Sequence, residues 1–334
     1  KPEPQIVVVE KAPEHDANQA ASQNQNNQGT SSSDGIEREG NVIRIQPQEP
    51  TIQKAQPKPI RRQEPTFAHL PDPELIERGA TGVIPRRSPD GLRPMDVYSR
   101  QPDTEGNFGV ARVVLIIGGI GISQTSTQQA IQNLPANVTL AFAPYGNSLT
   151  RWAQQARKKG HELLLQIPME PKGYPENNPG QHTLRTDVDL QENLVNLHWS
   201  MSRITNYVGV MNYLGNSLLT EPAALTPLFS EIAERGLLFV DDGTVNNSVA
   251  EGAAVKALLP FAKGQIVIDN VRSRAAIAEK LDQLSKQAKR SGLAIGVGNA
   301  FPDTIAMVSE FARRAKEAGI EITPVSSIAR DPSR

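Results

Sequence analysis

The chain has 334 residues, a formal net charge of −1, 38% hydrophobic residues and no cysteine. Disulfides, thiolate catalysis and cysteine zinc sites are therefore excluded, and the charge balance provides no basic footprint for nucleic acid or for a polybasic membrane patch. No run of apolar residues reaches the roughly 18 of a membrane span. The chain opens on Lys1, which leaves room for a leader or anchor upstream.

Residues 1–66 contain no Phe, Trp or Tyr and carry a Gln/Asn/Ser tract followed by scattered prolines. Such a stretch cannot assemble a core and reads as a disordered tail or spacer. Residues 67–111 differ, because large apolar residues (Phe67, Leu70, Leu75, Ile84, Met95, Tyr98) punctuate a Pro- and Gly-rich segment. We read an extended arm laid along the main domain, with one helical turn after Asp72–Pro73.

Residues 112–334 form the third segment, and its rhythm is regular. Arg112–Gly121 runs through five unbroken aliphatics into a glycine cluster, the pattern of a strand buried on both faces. Further strands are expected at 138–143, 161–167, 207–213, 237–240, 265–268, 293–297 and 322–325. Amphipathic helices separate them, with cap signals at Ser123 or Ser126, at Asp189 with Glu192, and at the stops Gly160, Gly236, Gly292 and Gly319. Strict alternation predicts an α/β fold, an irregular (β/α) barrel of seven to eight parallel strands, shorter than the ~250 residues typical of such barrels. An open doubly wound sheet is the alternative.

In either architecture the chemistry gathers at the carboxyl ends of the strands. Those ends carry Gly118–Gly119, Pro144–Tyr145, Gln166 through Glu170, Asn212–Tyr213, Asp241–Asp242, Asp269–Asn270 and Asn299. His161 and His198 stand in packing positions, and His182 lies in the long excursion after the third strand. The Gly119–Ile120–Gly121 cluster lacks the third glycine and the acid of a dinucleotide site. The candidate catalytic residues are Glu170, Asp241 and Asp242. Paired carboxylates do acid–base work on a glycosidic bond, or hold a divalent cation where they converge. Asp241–Asp242–Gly243 is equally a turn signal, and Asp269–Asn270 a helix cap. Tyr145, Tyr174 and Tyr213 offer faces for sugar or for packing.

The segments VVLIIGGIG, VTLAFAPYG, GHELLLQIPMEP, YVGVMNYLGN, RGLLFVDDGT and LAIGVGNAFPDT, in that order, resemble the divergent polysaccharide deacetylase family over about residues 112–328. The resemblance implies a (β/α) barrel, export to the periplasm or envelope, a glycan or peptidoglycan-like partner, and metal-dependent removal of acetyl groups. It also implies departures. Gly118–Gly119 stand where the family has two aspartates, Gln166 where it has histidine, Met211–Asn212–Tyr213 for Asn-Asn-His, and Gly298–Asn299–Ala300 for Gly-His-Pro. Glu170, Asn212, Asp241, Asp269 and Asn270 keep the family residues. The expectation is therefore a barrel with no resident cofactor, in which Gln166, Asn212, Tyr213, Asp269, Asn270 and Asn299 line a glycan groove. A residual hydrolase and a purely structural interaction protein are the alternatives.

Overall fold

The computed structural model describes residues 69–102 and 110–334. The spacer expected over residues 1–66 lies outside the described residues.

Asp72 caps the turn Pro73–Leu75, its carboxylate accepting from the Glu74 amide at 3.1 Å. The hairpin β1 (Ile76–Gly79) and β2 (Gly82–Pro85) and the short helix α1 (Pro94–Val97) follow. The sequence reading of this arm contains no hairpin, because four-residue strands are too short to show periodicity. The main domain then runs β3 (Ala111–Ile120), α2 (Gln124–Asn133), β4 (Thr139–Phe142), α3 (Leu149–Lys158), β5 (Leu163–Met169) and α4 (Leu190–Met201). It continues through β6 (Gly209–Leu214), α5 (Pro222–Glu234), β7 (Leu238–Asp241), α6 (Ala250–Lys256), β8 (Phe261–Lys263), β9 (Ile266–Val267), α7 (Arg274–Ser291), β10 (Leu293–Asn299), α8 (Pro302–Ala315) and β11 (Ile320–Ile322). Ser123, Asp189 and Ser273 each cap a helix by accepting a backbone N–H from its first turn.

The strand order is β8-β7-β6-β5-β4-β3-β10-β9, all parallel, with β11 against the start of β3. The two ends of this order are one stretch of chain. β8 pairs with β7 and β9 with β10, and between them Gly264 donates to the Asp241 carbonyl while Gln265 donates to that of Ile295. Phe261–Val267 thus closes an irregular barrel, which rules out the open doubly wound sheet.

Period-2 alternation divides the core into two layers. Val113, Leu115 and Ile117 of β3, with Leu163, Leu165 and Ile167 of β5, pack outward against the helices. Val114, Ile116, Leu164, Val240 and Ile295 point inward and meet one another. Leu75, Met95, Val97 and Tyr98 of the arm join this inner layer and plug the barrel at the amino ends of the strands.

Polar bonds pin the plug. Arg157 donates to the Tyr98 carbonyl at 2.9 Å and to that of His161 at 3.2 Å. Glu162, wholly buried, accepts from the Arg100 amide at 3.1 Å and the Ser326 amide at 3.0 Å, and burial raises its pKa. His161 is buried with Nδ1 3.0 Å from the Val138 carbonyl oxygen, so it serves packing. Arg235, the C-cap of α5, holds the hairpin, donating to Glu77 at 2.9 Å and to the Pro85 carbonyl at 2.8 Å. Glu231 beside it accepts from His198 and Arg235. Among the described residues no helix is long and apolar enough to cross a membrane.

Two outcomes are expected. Tyr98→Ala removes the largest side chain of the plug and lowers stability in urea by ~3–5 kcal/mol, the usual cost of deleting a buried aromatic ring. The His198 hydrogen bond, and then Arg235, lower the Glu231 pKa from its ordinary 4.5. The stability this carboxylate contributes is therefore present above pH 4.5 and lost as pH falls through its lowered value. In acid titrations of unfolding, Glu231→Gln should abolish that part of the slope below pH 4.5.

Candidate functional site

The carboxyl ends of the strands form a mouth opposite the plugged end. Gly118 and Gln166 both continue the inward series of their strands. The Gln166 side chain reaches over the short β4, and its Oε1 accepts the Gly119 amide at 2.8 Å. A Cβ on Gly118 would lie 2.8 Å from Gln166 Nε2, closer than real atoms approach. The glutamine amide therefore fills the space that a side chain at position 118 would take. With its oxygen fixed by a backbone donor, the Gln166 amide presents its NH₂ group, which bonds no described residue.

Asn212 is wholly buried, and its amide links two strand ends. Its Oδ1 accepts the Asp242 amide at 2.8 Å, and its Nδ2 donates to the Leu214 carbonyl at 2.8 Å. Tyr213 beside it is 43% exposed on the rim. Asp242 accepts from the Thr244 amide at 2.9 Å and hydroxyl at 2.7 Å, and burial raises its pKa despite those donors. Asp241 is wholly buried, with Oδ1 accepting the Gly243 amide at 2.8 Å. Its Oδ2 has no hydrogen-bond partner, and Lys263 Nζ stands 3.9 Å away. Phe239 faces the helices and Val240 the barrel interior, so Asp241 belongs to the outward series.

Asp269 and Asn299 come together. Asp269 Oδ2 accepts the Asn299 amide at 2.6 Å and the Thr304 hydroxyl at 3.0 Å, which ties β10 to α8. Glu170 faces the excursion that follows β5, accepting from the Thr186 amide at 2.6 Å and hydroxyl at 2.9 Å. Asn270 is exposed and lines a groove on the outer wall, between β9 and α7.

Sequence reasoning missed Trp199. Its ring stacks on His182 at 3.7 Å and lies 5.3 Å from Tyr145, whose hydroxyl accepts the His182 amide at 2.9 Å. A mid-helix tryptophan gives no sign that His182, seventeen residues earlier in a loop, folds back on it. Lys263 was missed too, because strand β8 has only three residues.

A catalytic divalent ion needs carboxylate or imidazole donors converging on one point. Among the described residues no group of three or more His, Cys, Asp or Glu does so. Position 118 has no side chain, and the amide above it is a neutral ligand. The side chains present do not fit the metal centre that the resemblance implies.

The fit of Gln166 over Gly118 is open to test. Gly118→Ala should push the amide away from the Gly119 donor and destabilise the chain, whereas Gln166→Ala in the same molecule should relieve the clash. A double-mutant cycle in urea is expected to give a coupling of ~0.5–3 kcal/mol.

The family model for the divergent polysaccharide deacetylases matches residues 115–329. An uncharacterized protein of Haemophilus influenzae is 24% identical over 221 residues, covering 66% of this chain and 78% of its own. The uncharacterized protein YibQ of Escherichia coli is 21% identical over 221 residues, 66% of this chain and 68% of its own. The crystal structure of an uncharacterized protein from Agrobacterium tumefaciens superposes with a TM-score of 0.71 at 47% identity, covering 73% of this chain and 98% of that one. With the family match spanning the barrel from β3 to the turn after β11, this chain belongs to the divergent polysaccharide deacetylase family.

Proposed function

We propose that this barrel is a glycan-binding protein of the bacterial cell envelope, one whose mouth holds a saccharide without a hydrolytic metal centre. The observation that carries the reading is the Gln166 amide seated over Gly118. It puts an oriented neutral donor where metal-dependent hydrolysis would need a charged ligand. Around it the mouth supplies what a sugar needs. The Gln166 NH₂ donates to hydroxyl or acetamido oxygens, the half-buried Asp242 follows the end of β7, and Tyr213 offers an exposed ring face. Residues 1–66, read as a spacer, would let the barrel reach its ligand from an anchor.

A second reading has one observation in its favour. Asp241 holds a buried oxygen with no hydrogen-bond partner, next to Lys263, and Asp242 beside it has a raised pKa. A buried carboxylate oxygen without a hydrogen-bond partner, beside a carboxyl group of raised pKa, accompanies hydrolytic sites as well as structural ones. A residual hydrolase would use them on an ester, amide or glycosidic bond.

The two readings separate in one set of measurements on the full chain. After exposure to zinc, manganese and calcium and then buffer exchange, no stoichiometric ion should remain, and no acetate should be released from N-acetylglucosamine tetramer. Calorimetry should show saturable binding of that tetramer. Tyr213→Ala should weaken it about three- to tenfold, the effect of ~0.5–1.5 kcal/mol for one stacked ring. A retained ion that disappears in Asp241→Asn, or measurable acetate release, would overturn the proposal in favour of the hydrolase.

A further inference from the structure

α6 is only seven residues long and packs on α5, while α7 packs on α8. Between β9 and α7 the outer wall holds a groove of about 550 Å³, a volume in the range of small-ligand sites. Nine residues line it, and none is Asp or Glu. Three are cations from one stripe of α7: Lys280, Lys286 and Arg290. Ten residues of helix separate the first from the last, about 15 Å along the axis.

Amides fill the space between the charges, and one is held in a fixed orientation. Gln265 Oε1 accepts both Gln287 Nε2 at 2.9 Å and the Ile295 amide at 3.0 Å. Its oxygen is thereby occupied, and its exposed NH₂ end is left to donate. Asn270, which sequence reasoning placed among the ligand-binding residues, lines the same groove. The cations are partly engaged already. Lys286 pairs with Asp282 at 2.6 Å, and Lys280 donates to Gln283 at 3.2 Å. No ion pair involves Arg290 among the described residues.

We propose that this groove is a binding site for an acidic saccharide, a glycan whose carboxylate groups meet the α7 cations while its hydroxyls meet the amides. The charge pattern selects the anion, because the lining carries three cations and no acid, and of the three only Lys286 is paired with a carboxylate among the described residues, that of Asp282 outside the lining. The amides select the saccharide, because neutral donors and acceptors between the charges suit hydroxyl groups. The site is separate from the mouth and does not depend on what the mouth binds. Exposure makes it sensitive to ionic strength.

The test titrates the full chain with tetragalacturonate, its fully methyl-esterified form, and a tetraglutamate peptide of equal charge, by calorimetry at low salt. Tetragalacturonate should bind saturably. The methyl ester and the tetraglutamate should each bind at least tenfold more weakly, and 0.5 M NaCl should weaken the acid form by a similar factor. Lys280→Gln/Lys286→Gln/Arg290→Gln, three exposed or half-exposed positions whose replacement leaves the fold intact by circular dichroism, should lose tenfold or more. The triple variant should bind N-acetylglucosamine tetramer as the unchanged chain does, which keeps a failure of the mouth proposal distinct from a failure of this one. The proposal is overturned if tetragalacturonate does not bind at millimolar concentration, if the triple variant binds it undiminished, or if the peptide binds as tightly as the saccharide.

Discussion

Two glycines meet backbone to backbone where the barrel closes. A Cβ on Gly243 would lie 2.1 Å from the Gly264 carbonyl oxygen, and one on Gly264 would lie 2.5 Å from that of Asp242. Only residues without a side chain allow this approach, and Gly243 also takes a φ of +77°. The contact lets Phe261–Val267 serve β7 with its first half and β10 with its second. Without it the sheet would have two exposed edges, each a row of unpaired backbone groups. Closure also creates the inner layer of side chains that needs a plug at one end and leaves a mouth at the other.

The two ends of the barrel are finished by opposite means. At the amino ends the arm inserts Leu75, Met95, Val97 and Tyr98, and buried Arg157 and Glu162 hold its backbone. Burial lowers the Arg157 pKa to about 10 and raises that of Glu162. Each shift reflects the same desolvation, acting on charges of opposite sign. At the carboxyl ends each brace is a side-chain oxygen accepting a backbone N–H. Asn212 joins β6 to the turn after β7, Asp269 joins β10 to α8, and Glu170 anchors the excursion through Thr186. Residues that read as a catalytic list thus act in large part as braces for the loops around the mouth. On the proposed reading, Gln166, Tyr213 and the Asp242 carboxyl group are the groups left to meet a ligand.

Family membership and site chemistry therefore point in different directions. The barrel and its order of elements are those of the divergent polysaccharide deacetylases. The donors at its mouth are amides and a phenol, together with carboxylates already held by backbone N–H groups. A family fold constrains where a ligand is met, at the carboxyl ends of the strands, and leaves open what is done to it.

The sequence by itself determined the alternation of strands and helices. Parallel strands buried on both faces must be continuous apolar runs, and glycine stops and serine or aspartate caps mark the helix ends locally. The eight expected strands correspond to β3–β7, β9, β10 and β11, while β8, only three residues long, was not foreseen. The sequence also placed Gly118–Gly119 and Gln166 at strand ends, since position along a strand is a local property. Contacts between distant segments were decided by the tertiary structure alone. The Gln166 amide over Gly118 joins residues 48 apart, Trp199 gathers Tyr145 and His182 from two loops, and the groove on the outer wall is formed between β9 and α7. Such pairings leave no periodic trace in a chain, because they depend on how elements pack and not on the spacing within any one of them.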